Sequence, residues 1–257
     1  MQTKDGFIAV TDSGVGGVSV LSCLARLLPG EDFLYYGDTA HAPYGSKSPE
    51  EVCHLVFRTA EELLGRGAKA LVLACNTATG AAAAPLRETY PHLPIIGIEP
   101  ALKPAAMVAP HPRVLVMATP LTLRQAKYEA LEARFAEEAD ITDLPCPGLA
   151  TLVEEGHLAD DVLDGYLTDL LSPYEGIKFD ACVLGCTHYP HVKEAIARHL
   201  PGGCVILDGG EGTARETKRR LLAAGLLSGR ESGGTVRFEN SAGDAASDAL
   251  ARALFER

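Results

Sequence analysis

Seven short apolar runs, spaced so that a helix fits between most neighbours, constrain this chain more than any other feature. They are "FIAV" (Phe7 to Val10), "FLYY" (Phe33 to Tyr36), "ALVLA" (Ala70 to Ala74), "PIIGI" (Pro94 to Ile98), "RVLVMA" (Arg113 to Ala118), "ACVLG" (Ala181 to Gly185) and "CVIL" (Cys204 to Leu207). Each is nearly continuous rather than alternating with polar residues, which is how a strand buried on both faces reads. Helical stretches separate them: Ser48 to Gly65, Ala81 to Thr89, Thr122 to Phe135 and Leu158 to Leu171. Strand alternating with helix predicts an α/β chain with parallel sheets covered on both faces. No Pro- or Ser-rich linker divides the chain. The softest junctions, Ile98 to Pro104 and Leu207 to Gly212, predict a first domain of residues 1–100 plus 208–257, with a second, 101–207, inserted into it.

Composition then removes function classes. No apolar run reaches the ~18 residues of a membrane span, and "MQTKDGFIAV" enters a strand-like run without a signal peptide's apolar region, so a cytoplasmic protein without membrane association is expected. A formal charge of −11 with no long basic run argues against a nucleic-acid surface. Seven cysteines, an odd number irregularly spaced, argue against a disulfide framework; most are expected to be buried apolar fillers.

In open parallel sheets ligands gather at the carboxyl ends of strands. Three runs lead there into small polar residues beside glycine: "TDSGVGG" (Thr11 to Gly17), "GDTAHAPYG" (Gly37 to Gly45) and "CNTATG" (Cys75 to Gly80). "DSGVGG" has neither the spacing of a dinucleotide fingerprint nor the Lys of a P-loop. It reads either as a tight turn packing a helix on a strand or as a small-anion cradle with Asp12 as polar partner.

The chain also repeats itself. "ALVLACNT" (Ala70 to Thr77) and "ACVLGCTH" (Ala181 to His188) agree in Ala, Val, Leu and Cys at four of eight positions. Two strands, one per expected domain, each deliver a cysteine at the carboxyl end, so two thiols face one cleft if the domains face each other. Both cysteines precede helical stretches, and a helix N-terminus lowers a thiol's pKa. Asp12 and His188 are the polar groups best placed to assist. One thiolate removing a proton from a carbon while an opposed thiol returns one to the other face inverts configuration without a cofactor.

Rival readings of the thiols exist. A metal site of Cys75, Cys186 and His188 would put ligands at Cys-x-His, tighter than the usual spacing. A redox pair lacks Cys-x-x-Cys. A hydrolase with one nucleophilic thiol and a His base leaves the second cysteine unexplained. Asp12 also suits a helix cap, Asp38 an Asx turn, Pro43 and Tyr44 a shaped loop, and His188 a structural role.

Six segments in order, "AVTDSGVGGVSVL", "YYGDTAHAPYGSKS", "LVLACNTATG", "IIGIEPALKPA", "LVEEG" and "VLGCTHYP", resemble the cofactor-independent aspartate/glutamate racemase superfamily over about Ile8 to Ala223. The histidine after Cys-Thr resembles its glutamate racemase branch; aspartate racemases usually have Glu there. The resemblance implies two similar flavodoxin-like parallel-sheet domains with pseudo-twofold symmetry, a cleft between them, and interconversion of L- and D-glutamate for peptidoglycan. It implies no cofactor and no metal, a homodimer, and glutamate as the small-molecule partner.

Residue by residue, the resemblance makes Cys75 the thiol acting on D-glutamate and Cys186 the one acting on L-glutamate, assisted by Asp12 and His188, with Glu154 a further carboxylate of the cleft. Substrate-binding positions are Asp12, Ser13, Pro43, Tyr44, Gly45, Asn76, Thr77, Thr119, Thr187 and His188, while Asp38 acts through a neighbour. Most of these are neutral donors, able to hold two carboxylates despite an acidic surface. The sequence departs from the pattern at Arg124, where Ser or a small residue is usual, and in the polar tail Val236 to Asp244; either departure bears on the domain interface or on oligomer contacts. Regulation by a cell-wall precursor through an N-terminal extension, as in some relatives, is not expected. Racemisation of another acidic amino acid, such as aspartate, and a two-domain dicarboxylate-binding protein are the alternatives.

Overall fold

The computed structural model describes residues 4–257; Met1 to Thr3, the start of the segment read above as leaderless, lie outside the described residues. Among these, nine strands form two separate, wholly parallel sheets. The first holds β1 (Phe7–Asp12), β2 (Phe33–Gly37), β3 (Ala68–Leu73), β4 (Ile95–Gly97) and β9 (Val236–Asn240), in the order β4-β3-β1-β2-β9. The second holds β5 (Arg113–Ala118), β6 (Asp140–Pro145), β7 (Ala181–Leu184) and β8 (Val205–Asp208), in the order β6-β5-β7-β8.

Setting β9 aside, each sheet repeats one order, second strand, first, third, fourth, the flavodoxin-like arrangement with its switch point between first and third strands. β3 and β7 are therefore equivalent strands, which is the physical content of the repeat between "ALVLACNT" and "ACVLGCTH".

Helices cover both faces of each sheet: α1 (Val18–Leu27), α2 (Pro49–Gly65), α3 (Asn76–Thr89), α4 (Leu102–Ala105), α5 (Pro120–Leu123), α6 (Ala126–Ala133), α7 (Leu149–Glu154), α8 (Asp161–Leu171), α9 (Lys193–His199), α10 (Gly210–Ala223) and α11 (Ala245–Phe255). Successive strand residues feed opposite cores. Ala9, Leu71 and Leu73 pack on one side of the first sheet and Ile8, Val10 and Val72 on the other. In the second sheet Leu115 and Met117 oppose Val114 and Val116 in the same way.

Three local outcomes differ from the sequence reading. The stretch Thr122 to Phe135 is not one helix: Gln125 is extended (ψ 134°) and separates α5 from α6. Its side chain reaches away to donate to Thr77 O at 3.0 Å. The strands β6 and β9 escaped the reading because they are sheet edges, half exposed, so their sequences "DITDLP" and "VRFEN" carry no continuous apolar run. The polar tail therefore forms an edge strand, and Arg124 stands exposed.

The two soft junctions lie against each other. A side chain on Gly209 would meet Glu99 O at 2.4 Å and Ile98 Cγ1 at 2.7 Å. The chain thus crosses between its two sheets twice at one place, leaving the carboxyl ends of the strands to face each other.

Candidate active site

Each switch point delivers one cysteine. β3 runs out at Leu73, and Cys75 becomes the N-cap of α3, its Sγ accepting from Ala78 N at 3.5 Å, with Ser13 Oγ at 3.9 Å. β7 runs out at Leu184, and Cys186 follows Gly185, whose own Cβ would lie 2.9 Å from Ala118 Cβ. Cys186 caps no α-helix. A 3₁₀ turn over Tyr189–Val192 follows it, and the group beside Cys186 Sγ is His188 Nδ1, 3.6 Å away. The helix-terminus effect expected for both thiols is available to Cys75 alone.

Both thiols line a single cavity of about 510 Å³ between the sheets, within the ~300–1,000 Å³ range of ligand sites. Ser13, Pro43, Tyr44, Gly45, Asn76, Thr77, Thr119, Glu154 and His188 line it as well. Asp12 and Thr187 do not; they lie beneath it, bonded to each other across the domains through Thr187 Oγ1 and Asp12 Oδ2 at 2.9 Å. Asp12 caps no helix; its Oδ1 accepts from Gly14 N at 3.1 Å, closing the glycine turn. Asp38 is buried and accepts from Tyr44 Oη at 2.5 Å, so it fixes a wall residue without reaching the cavity.

The turn seats α1 on the sheet, as the first reading of "DSGVGG" has it: a Cβ on Gly17, the N-cap of α1, would lie 2.7 Å from Asp12 Cβ and 2.9 Å from Ala74 Cβ. It also presents a backbone amide to an anion, but that anion belongs to the protein: Val15 N donates to Glu154 Oε1 at 2.7 Å. Glu154 Oε1 also takes the bond from His188 Nε2 at 2.5 Å. The glycines are there for approach: a Cβ on Gly14 would lie 1.8 Å from Glu154 Oε1, and one on Gly16 2.3 Å from His188 Nδ1. Tyr35 Oη holds the turn from below through Gly14 O at 2.6 Å.

The residues 10–217 match the Asp/Glu/Hydantoin racemase family. The chain belongs to this family. A glutamate racemase of Clostridium botulinum is 47% identical over 244 residues, 95% of each chain. Among solved structures, a glutamate racemase of Bacillus anthracis superimposes with a TM-score of 0.86 at 33% identity, covering 99% of this chain and 95% of that one. A glutamate racemase of Francisella tularensis in complex with D-glutamate gives 0.83 at 26%, with the same coverage. The chain is thus an enzyme, an isomerase of the amino-acid racemase kind, built of two parallel-sheet α/β domains.

The electrostatics of the family site are set by burial and by one ion pair. Burial, with the Asp12 charge next, pushes the Cys75 thiol far above its ordinary 9.0, the reverse of the lowering expected from its helix terminus. Burial works against charge on His188 too, but bonds to Cys186 and Glu154 outweigh it and hold the imidazole well above its ordinary 6.5. Burial alone would raise Glu154; the His188 and Val15 bonds instead bring it below 4.5. Burial raises Asp12 above 3.8 against the pull of His188, the Gly14 amide and the Thr187 hydroxyl.

The sequence reading missed Thr122 and Cys146, which also line the cavity. Thr77 and Thr119 were expected; Thr122 joins them in a triangle of hydroxyls across the domains, with Oγ1 separations of 3.2, 3.0 and 2.9 Å. Thr119 caps α5 as Cys75 caps α3, so a capping Thr with Thr three residues on was the available signal. Cys146 follows β6, and the missed strand hid it. All seven cysteines are free, and among the described residues no group of three or more His, Cys, Asp or Glu is placed to hold a metal ion. No helix of the described residues is long and apolar enough to cross a membrane.

Proposed function

We propose that this racemase interconverts L- and D-glutamate, without a cofactor, by proton transfer between Cys75 and Cys186, and that the D-glutamate serves peptidoglycan synthesis. The observation that carries the reading is that two thiols on equivalent strands line one cavity from opposite domains. The names of the relatives above support glutamate as the substrate.

The two thiols are unlike, and that asymmetry supplies direction. Cys75, buried and pushed up, starts as the thiol. Cys186, with His188 Nδ1 at 3.6 Å from its Sγ, is the base toward L-glutamate. With L-glutamate bound, Cys186 takes the α-proton, negative charge develops on the α-carbon and its carboxylate, and Cys75 delivers its own proton to the opposite face. Cys186 is then the thiol and Cys75 the thiolate, which is the state that runs the reaction back from D-glutamate.

An α-carbon acid is weak, so the transition state needs donors already in place. The wall supplies them: Ser13, Asn76, the three threonine hydroxyls, and backbone amides at the start of α3. Buried Asn76 Oδ1 has no hydrogen-bond partner within the protein, and the ammonium group of glutamate would satisfy it. Tyr44, tied to Asp38, and the Pro43–Gly45 loop close the side.

Incubating the protein with L-glutamate alone and separating the product on a chiral column tests the reading. D-glutamate approaching an equimolar mixture is expected, with D- and L-aspartate turned over far more slowly. Well-folded protein that leaves L-glutamate unchanged would overturn it.

A further inference from the structure

His191 is a half-buried titratable group that the proton transfer above does not use. It lies outside the cavity, in the 3₁₀ turn after His188, and its Nε2 sits 3.1 Å from Gly16 O in the other domain. Burial pushes its pKa down to about 4, so at neutral pH the ring carries one proton. A carbonyl oxygen only accepts, which places that proton on Nε2.

The hydrogen bonds around Gly16 O are over-subscribed. Three donors reach it: Ser19 N at 3.1 Å, Ser19 Oγ at 3.0 Å and His191 Nε2 at 3.1 Å. A carbonyl oxygen has two lone pairs. The Ser19 hydroxyl has one proton and a second acceptor at 3.0 Å, Thr187 O, again across the domains. With Ser19 N–H and His191 Nε2–H on Gly16 O, the Ser19 hydroxyl is left for Thr187 O.

We propose that His191 and Ser19 form a coupled clasp in which His191, by occupying Gly16 O, turns the Ser19 hydroxyl onto Thr187 O, so that two cross-domain bonds form together. The clasp sits directly behind the site. Gly16 lies on the His188 ring, Thr187 precedes it in the chain, and His191 N donates to His188 O at 3.1 Å. His191 and Ser19 are therefore positioning residues: they set the place of the His188 ring against Cys186 without touching substrate. The kinetic part of this inference rests on the proposed glutamate reaction.

Coupling makes a specific prediction. Ser19→Ala loses one cross-domain bond, whereas His191→Leu loses both, because the freed Ser19 hydroxyl falls back on Gly16 O within its own turn. With one net hydrogen bond worth a few-fold, Ser19→Ala should lower kcat/KM about threefold and His191→Leu about tenfold. The double variant should stay at about tenfold, where independent sites would give about thirtyfold. His191→Gln, whose amide nitrogen replaces Nε2, should recover most of the loss.

Iodoacetamide labelling of Cys186, resolved by peptide mass spectrometry, reads the same clasp without turnover: faster in His191→Leu, no faster in the double variant, near wild type in His191→Gln. Multiplicative effects in the double variant, wild-type behaviour of His191→Leu, or no recovery with Gln would each overturn the clasp. If the wild type racemises no glutamate, the proposed reaction falls, while the labelling series still decides the clasp.

Discussion

Glu154 and His188, 34 residues apart in sequence, form an ion pair whose carboxylate oxygen is held at the same time by Val15 N of the other domain, at 2.5 and 2.7 Å. One acidic side chain thereby sets the charge of the imidazole beside Cys186 and ties that charge to closure of the cleft. The pair itself lies within the second domain, and the first domain adds one backbone amide to it.

The pair fixes a pH window for stability. Glu154 is lowered in the folded state, so its contribution is present above its ordinary 4.5 and lost as pH falls through the folded value. His188 is raised, so its contribution is full below its ordinary 6.5 and lost as pH rises through the folded value. The melting-temperature difference between wild type and Glu154→Gln should be largest between those two values and shrink on either side, as scanning calorimetry at a series of pH values will read.

Gly16→Ala is expected to cost far more than an exposed turn substitution. Its Cβ would fall 2.3–2.6 Å from three atoms of the His188 ring, which is hemmed in by Glu154 and Cys186 and has nowhere to turn. Displacements of about 1 Å at reacting groups cost on the order of 10²-fold. A drop in kcat/KM of that order with an unchanged circular dichroism spectrum is the expected result.

Substituting either thiol should slow both directions equally. Enantiomers have equal free energy in water, so kcat/KM for L- and D-glutamate must fall by one common factor in Cys75→Ser or Cys186→Ser, however unlike the two thiols are. Circular dichroism progress curves from each enantiomer measure this. Alanine variants should still bind glutamate by calorimetry while turning over none.

Away from the site, Lys69 and Glu31 form a fully buried ion pair, Nζ to Oε2 at 2.6 Å, close but not aligned as a hydrogen bond. Lys69 donates instead to Lys4 O, and Glu31 Oε1 accepts from Ser228 N. Lys69→Met strands the carboxylate and should cost about 3–5 kcal/mol of unfolding free energy in urea. Adding Glu31→Gln should return part of it.

The strands buried on both faces were legible because burial itself writes continuous apolar runs, and the duplicated "Leu-x-Cys" ends exposed Cys75 and Cys186 before any coordinates. What stayed hidden belongs to tertiary placement. Polar sequence cannot distinguish the edge strand at Val236–Asn240 from a loop. Nothing local says that Asp12 and Thr187 would bond beneath the cavity rather than line it, or that burial at Cys75 would outweigh the helix terminus. The anion met by the glycine turn was 139 residues away, on Glu154.

In the proposed reaction one thiol removes the α-proton while the other returns a different one. L-Glutamate incubated in D₂O and stopped at low conversion tests it directly, by mass spectrometry of the separated enantiomers. The D-glutamate formed should carry one α-deuterium per molecule while the remaining L-glutamate stays largely protiated. D-Glutamate that retains the original α-proton would mean a single base serving both faces, and would contradict it.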